Sequence, residues 1–268
     1  MANSPMRSSL PTAAETGLPP RTENSRWRIV RFPGTSSVEI ALAREQALAD
    51  EIEACTATPL FTVWRCPAAL LVSRTETRLP RFTEACVELA SAGWPIVVRK
   101  SGGGACPLAP GTIQISTTEA AAPQATMNSK YAFVAEIIQE TLRAFRLESH
   151  VGSVAEAYCP GRFDIAVAGK KIAGIAQRWF RNGQGVRCIT TAASLNVEEA
   201  PEILAGVVTR FYGGAGSSDR CLADALTNMR LCGAKPPPGG RDLTAAVVTH
   251  LATHARMLGA TGREKSGR

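Results

Sequence analysis

Apolar and polar positions alternate with two different periods along the chain. In SSVEIALAREQALADEIEAC (residues 36–55), Val38, Leu42, Leu48 and Ile52 recur at helical spacing with charges between them. That pattern predicts a helix capped by Ser36 or Ser37. MNSKYAFVAEIIQETLRAF (127–145) is a second amphipathic helix, with Tyr131, Val134, Ile138, Leu142 and Phe145 on one face. Further helices are predicted over residues 81–92, where Gly93 and Pro95 end the pattern, over PEILAGVVTRFY (201–212) and over SDRCLADALTNM (218–229). After the KPPPGG boundary a terminal helix spans about 241–259. Strands are read in RWRIVRF (26–32), in FTVWRCP and ALLVSR around Pro67, and in VRCITTAASLN (186–196). PIVVRK (95–100) reads as a buried strand and TIQIST (112–117) as an alternating one. FDIAVAG and KKIAGIAQRWF form a hairpin turning near Ala168 and Gly169. Strands and helices mix without regular alternation and without an internal repeat. The expected class is α+β, with a mixed, largely antiparallel sheet flanked by helices.

Composition narrows this picture. A chain of 268 residues with 45% hydrophobic positions suffices for one domain with its own core. Residues 1–25 read as a disordered leader and 26–268 as the domain. The formal charge of +7 favours an acidic partner, yet there is no Lys/Arg run interleaved with aromatics, so nucleic acid is not the expected one. Eight cysteines occur without a CxxC pair, and the three histidines are not spaced with them as metal ligands. That usage suits a reducing, cytoplasmic setting. The sequence has no apolar stretch of about 18 residues and no apolar signal core, so neither a membrane span nor a signal peptide is expected.

Two stretches carry candidate chemistry. The first is RKSGGGACPLAPG (99–111). Gly102, Gly103 and Gly104 permit positive φ and close backbone approach, and their N–H groups can face an anion or an acyl carbonyl. Arg99 and Lys100 precede them with positive charge, and Ser101 and Ala105 flank them. The segment lacks the Walker pattern. The second is YCPGRFDIAVAGKKIAGIAQRW (158–179). Cys159 lies in a loop before Pro160 and Gly161, a place that can expose a sulfur. Strand alternation puts Lys170 at the surface and Lys171 inward, with Gly174 and Ala176 leaving room beside it. An ammonium near a thiol raises the thiolate fraction, and it can also hold an acyl or carboxylate oxygen. Cys106 is a second thiol in the glycine segment, an alternative nucleophile or, with Pro107 after it and no neighbouring lysine, a pocket-lining residue. Cys188 is read as core, and His150, ahead of the Cys159 loop, as a surface residue or a base. Asp164 opens the FDIAV arm, where it can orient a carrier lysine, pair with Arg162 or serve only as a soluble strand edge.

These residues resemble the biotin/lipoate protein ligase superfamily, and most closely its cysteine-bearing lipoyl and octanoyl transferases. The resemblance spans residues 35–232. VVRKSGGGACPLAPGTIQIS is similar to the family's RR-x-SGGG-A segment, and GRFDIAVAGKKIAGIAQRW to the segment holding the family's lysine, which falls on Lys171. YCPG resembles the nucleophile loop of lipoyl amidotransferases. Three departures weaken an ATP-dependent ligase reading. GGGACPLA replaces the ligases' GGGAVYHD, Lys100 replaces the second arginine, and no accessory domain is apparent.

The resemblance implies a single ligase-like catalytic domain. It implies octanoyl or lipoyl transfer through a Cys159 thioester onto a lysine of a carrier domain, with Lys171 orienting the carbonyl. The acyl chain would lie between Ser101, Gly102, Gly103, Gly104 and Ala105 on one side and Ile172, Ala173, Gly174 and Ala176 on the other, with Arg99, Gly161 and Asp164 nearby. No cofactor is required for transfer, and no metal is expected. An ATP-dependent lipoate–protein ligase, with ATP and Mg as cofactors and lipoate or octanoate as substrate, and a non-catalytic acyl- or biotin-binding module are the alternatives. The implied partners are acidic lipoyl carrier domains: the glycine-cleavage H protein and the acyltransferase subunits of 2-oxoacid dehydrogenases. Because exposed charges are screened within about 10 Å at 0.1 M salt, the KM for such a carrier is expected to rise with ionic strength. A carrier KM that stays flat from low to high salt contradicts an electrostatic docking surface.

Overall fold

The computed structural model describes residues 27–35, 37–53, 58–240 and 242–261. The leader expected at 1–25 and the alternative cap Ser36 lie outside the described residues. The chain runs β1 (Arg28–Thr35), α1 (Val38–Asp50), β2 (Leu60–Arg65), β3 (Ala69–Val72), α2 (Phe82–Ser91), β4 (Ile96–Val98), β5 (Cys106–Leu108) and β6 (Thr112–Ala120). It continues with α3 (Met127–Ala144), β7 (His150–Val151), β8 (Ile165–Val167), β9 (Lys170–Arg181), β10 (Arg187–Asn196), α4 (Pro201–Ala215) and α5 (Leu243–Thr261). Ser37 caps α1 by accepting from the Ile40 N–H, and Thr126 with Ser129 forms a capping box on α3.

Seven strands pair in the order β1-β2-β6-β10-β9-β8-β7, and all neighbours but β1 and β2 are antiparallel. The expected α+β class holds. The two strands around Pro67 nevertheless part company: β2 joins the large sheet, while β3 joins a second sheet of order β4-β3-β5. That second sheet also corrects the expectation for residues 95–100. Only Ile96–Val98 is strand, and Val98 is 45% exposed.

Each face of the large sheet has its own core. On one face Phe61, Ile113, Ile115 and Leu195 pack with Val134, Ile138 and Leu142 of α3 and with Leu243, Val247 and Leu251 of α5. On the other, Leu60 and Trp64 pack with Val38, Ala41 and Leu48 of α1 and with Leu108 of β5. A third cluster joins Ala85 and Leu89 of α2, Leu204, Val208 and Phe211 of α4, and Leu70 and Val72 of β3. Covering both faces explains why Thr112 to Thr118 are all buried despite their alternating sequence.

The helix expected over residues 218–229 does not form. Ala223–Ala225 makes one 3-10 turn, and the rest of the segment is drawn into other pairings. The Leu222 N–H donates to the Glu156 carbonyl, the Thr227 N–H to the Lys171 carbonyl, and Leu226 bridges Lys171. Phe61, fully buried between β2 and the α3/α5 layer, should be the most sensitive position of the first core. Phe61→Ala is expected to lower unfolding free energy by about 3–5 kcal/mol; chemical denaturation showing a loss below about 1 kcal/mol would contradict this packing.

Candidate active site

Residue alternation fixes what faces the cleft. Gly174, Ser194, Gln114 and Trp64 are cross-strand neighbours in register across β9, β10, β6 and β2, so their side chains share one face. They line a pocket roofed by Leu42 of α1, Leu71 of β3 and Leu108 of β5. Arg99, Ser101, Cys106, Tyr158, Cys159 and Lys171 complete its wall. The Ser194 hydroxyl is buried there without a hydrogen-bond partner.

The sulfur sits against the glycine loop. Cys159 has φ +43°, a left-handed conformation that a Cβ-bearing residue rarely adopts. Its Sγ accepts from the Gly104 N–H at 3.1 Å and lies 3.7 Å from Nη2 of Arg99. Gly103, at φ +98°, permits this approach: a Cβ there would stand 2.7 Å from Cys159 Sγ and 2.8 Å from Arg99 Nη2. Arg99 Nη2 also donates to the carbonyls of Gly102, at 3.0 Å, and Gly104, at 2.6 Å. Its charge therefore both shapes the loop and faces the sulfur.

Lys171 is 1% exposed while Lys170 is surface, the expected division. The Lys171 ammonium has three donors, and all are occupied. They go to the Tyr158 carbonyl at 2.7 Å, the Cys159 carbonyl at 3.0 Å and Asp164 Oδ1 at 2.9 Å. It also lies over the Tyr158 ring, 4.5 Å from the centroid. The readings of Asp164 as a soluble strand edge, an Arg162 partner or a carrier-facing group are corrected. It is 2% exposed and bonds Lys171 and the Gly161 N–H, while Arg162 reaches Asn128 instead. Burial pushes the Asp164 carboxyl up from its ordinary range, against the pull of Lys171 and of the Gly161 and Val154 backbone.

The structure thus brings Arg99, Ser101, Cys159, Lys171, Gly174 and Ala176 to one pocket. It places Ile172 and Ala173 elsewhere: a register shift between Ile165 and Ala166 lets both pack into the α3/α5 core. Ala105 is fully buried against the α2/α4 cluster. Cys106 lines the pocket, and burial pushes its thiol up to about 11, which keeps it protonated near neutral pH. Cys188 is fully buried and His150 exposed, as expected.

Two residues found only through the structure are Glu76 and Tyr212. The Tyr212 hydroxyl accepts from the Ala105 N–H at 3.0 Å and donates to Glu76. Burial, and then Glu76, hold the Tyr212 phenol above its ordinary value, so it remains a donor.

The Asp164–Lys171 pair gives a direct test. Asp164→Asn keeps the volume but removes the countercharge of a buried ammonium. Breaking such a pair from one side costs about 3–5 kcal/mol. A marked fall in thermal midpoint is expected; an unchanged midpoint would mean that Lys171 does not depend on Asp164.

Comparison with known proteins fits this architecture. Residues 37–224 match the family described as the lipoyl protein ligase A/B catalytic domain. A crystal structure of lipoate-protein ligase A bound with ATP superposes with TM-score 0.63 at 16% identity, over 89% of this chain and 95% of that one. An octanoyl-GcvH:protein N-octanoyltransferase of Kyrpidia tusciae is 30% identical over 87% of this chain and 80% of its own length. An uncharacterized protein of Cupriavidus necator is 34% identical over 44% of this chain, and the match spans about half, 49%, of that relative. With the profile match extending over most of its length, the chain belongs to the lipoyl protein ligase A/B catalytic domain family.

Proposed function

We propose that this protein is an acyltransferase that moves an octanoyl or lipoyl group through Cys159 onto a lysine of a carrier domain. The observation that carries the reading is the Gly104 N–H 3.1 Å from Cys159 Sγ at the wall of an apolar pocket. A thiolate there would attack the acyl carbonyl of a thioester or amide donor. The S–C bond forms as the bond to the donor breaks; a donor sulfur leaves as thiolate, and a donor amine leaves with a proton taken from solvent. The neutral acceptor amine then attacks the thioester, the C–N bond forms, the C–S bond breaks with sulfur departing as thiolate, and the amine's surplus proton passes to solvent. The Gly104 N–H, beside Sγ, would be the donor available to the oxyanion formed in each step.

The Kyrpidia relative's name supports an octanoylated GcvH, the glycine-cleavage H protein, as one substrate of this chain too. The +7 charge suits an acidic carrier. Dispersed cysteines, seven of them free among the described residues, favour a cytoplasmic, reducing site of action. Among the described residues, no helix is long and apolar enough to cross a membrane.

The second reading, an ATP-dependent ligase, draws on the fold shared with lipoate-protein ligase A. Against it, Asp164 neutralises the Lys171 ammonium, and its other donors go to the Tyr158 and Cys159 carbonyls, which leaves no Lys171 donor to receive a phosphate.

Wild type and Cys159→Ser are incubated with an octanoyl-carrier thioester, without nucleotide, and their intact masses are measured. An octanoyl adduct that hydroxylamine removes is expected on wild type, and none on Cys159→Ser. If Cys159→Ser modifies the acceptor lysine at the wild-type rate once ATP and free acid are supplied, the nucleophile assignment fails and the ligase reading replaces it.

A further inference from the structure

The glycine loop is gripped from behind by a pair of side chains that acyl transfer itself does not use. Glu76 lies in the turn between β3 and α2, 7% exposed. One of its carboxylate oxygens accepts from the Ser73 N–H at 2.7 Å, and the other accepts from the Tyr212 hydroxyl. Tyr212, on α4, reaches the Ala105 N–H at 3.0 Å. On the opposite edge of the same peptide unit, Arg99 Nη2 holds the Gly104 carbonyl at 2.6 Å.

A peptide unit is planar, so fixing both its carbonyl and its N–H fixes its plane. The unit between Gly104 and Ala105 is held in this way. It leaves Gly104 little freedom to turn its own N–H away from the sulfur. Without that hold, three consecutive glycines have wide conformational choice. The approach of Tyr212 also needs the glycine, since a Cβ on Gly104 would stand 2.9 Å from its hydroxyl.

We propose that Tyr212 and Glu76 are positioning residues that lock the glycine loop so that the Gly104 N–H is aimed at Cys159. The inference rests on the reading of Cys159 as the acyl-carrying residue. The pair acts through the backbone and touches neither sulfur nor substrate. Other groups face Cys159: Arg99 after β4, Cys106 on β5, Tyr131 on α3, Tyr158 beside it, and Lys171 with Asp164 on the β8–β9 hairpin. All of them remain in Tyr212→Phe, so a change in that variant reports the loss of the hydroxyl.

The readout is the pH dependence of Cys159 alkylation by iodoacetamide, followed in the tryptic peptide 147–162, which contains no other cysteine. Tyr212→Phe is expected to alkylate about tenfold more slowly at neutral pH, with the profile displaced about one unit upward, the size of one charge-assisted hydrogen bond. Glu76→Gln keeps the shape but also removes a negative charge near the sulfur, which by itself would displace the profile downward, so an upward displacement in that variant still reports the loosened loop and decides the matter if Tyr212→Phe does not fold. Folded variants whose Cys159 follows the wild-type profile, even with a lowered thermal midpoint, would reduce the pair to a structural contact and overturn the proposal. An absence of acyl adduct on wild type sinks the transfer reading alone, because the alkylation profile is measured without any acyl donor.

Discussion

A buried ammonium constrains this site more than any other group. Lys171 carries a full charge into the protein, where an unpaired ion would cost several kcal/mol. Its three donors are satisfied by Tyr158, Cys159 and Asp164. Two of these acceptors are backbone carbonyls of the loop that carries the sulfur. The charge therefore ties the loop to β9, and Asp164 ties it to the start of β8. The geometry of Cys159 follows from that bond set, as does the close packing beside Gly174, where a Cβ would stand 3.1 Å from the ammonium.

The sulfur is consequently fixed from two directions. From β9, Lys171 holds the carbonyls of the peptide units before and after the Cys159 Cα while Cys159 adopts a positive φ, a conformation that costs about 1–3 kcal/mol elsewhere. From β4 and α4, Arg99 and Tyr212 hold the glycine loop against the sulfur. A group held in this way loses little freedom on reaction, which is the physical content of preorganisation. Lys171 bonds the loop that carries Cys159, so under the proposed transfer reading its effect on an acyl carbonyl would be exerted through Cys159.

The departure at Cys106 and Pro107 also has a structural reading. These residues form β5 and pair with Leu71 and Leu70 of β3. The segment after the glycines is thereby turned into the pocket roof, with Leu108 fully buried.

Much of this was legible along the chain. Periodicity located the helices α1 to α5 and the long strands, because each buries one face and must repeat with the period of its backbone. Alternation also separated Lys170 from Lys171, and the glycine triplet announced a close approach. Local pattern failed where a segment's backbone pairs with distant residues. Residues 218–229 have helical composition, yet their N–H groups go to Glu156 and Lys171. The register shift beside Ala166 sent Ile172 and Ala173 into the core. Asp164, Glu76 and Tyr212 could not be assigned because their roles lie in partners, not in spacing: Tyr212 meets Ala105 across 107 positions and Glu76 across 136. The sequence by itself determined which residues could do chemistry and which elements would carry them. Only the tertiary structure decided which charges neutralise one another inside, because a buried ion pair or a gripped peptide is a relation between elements that no local period encodes.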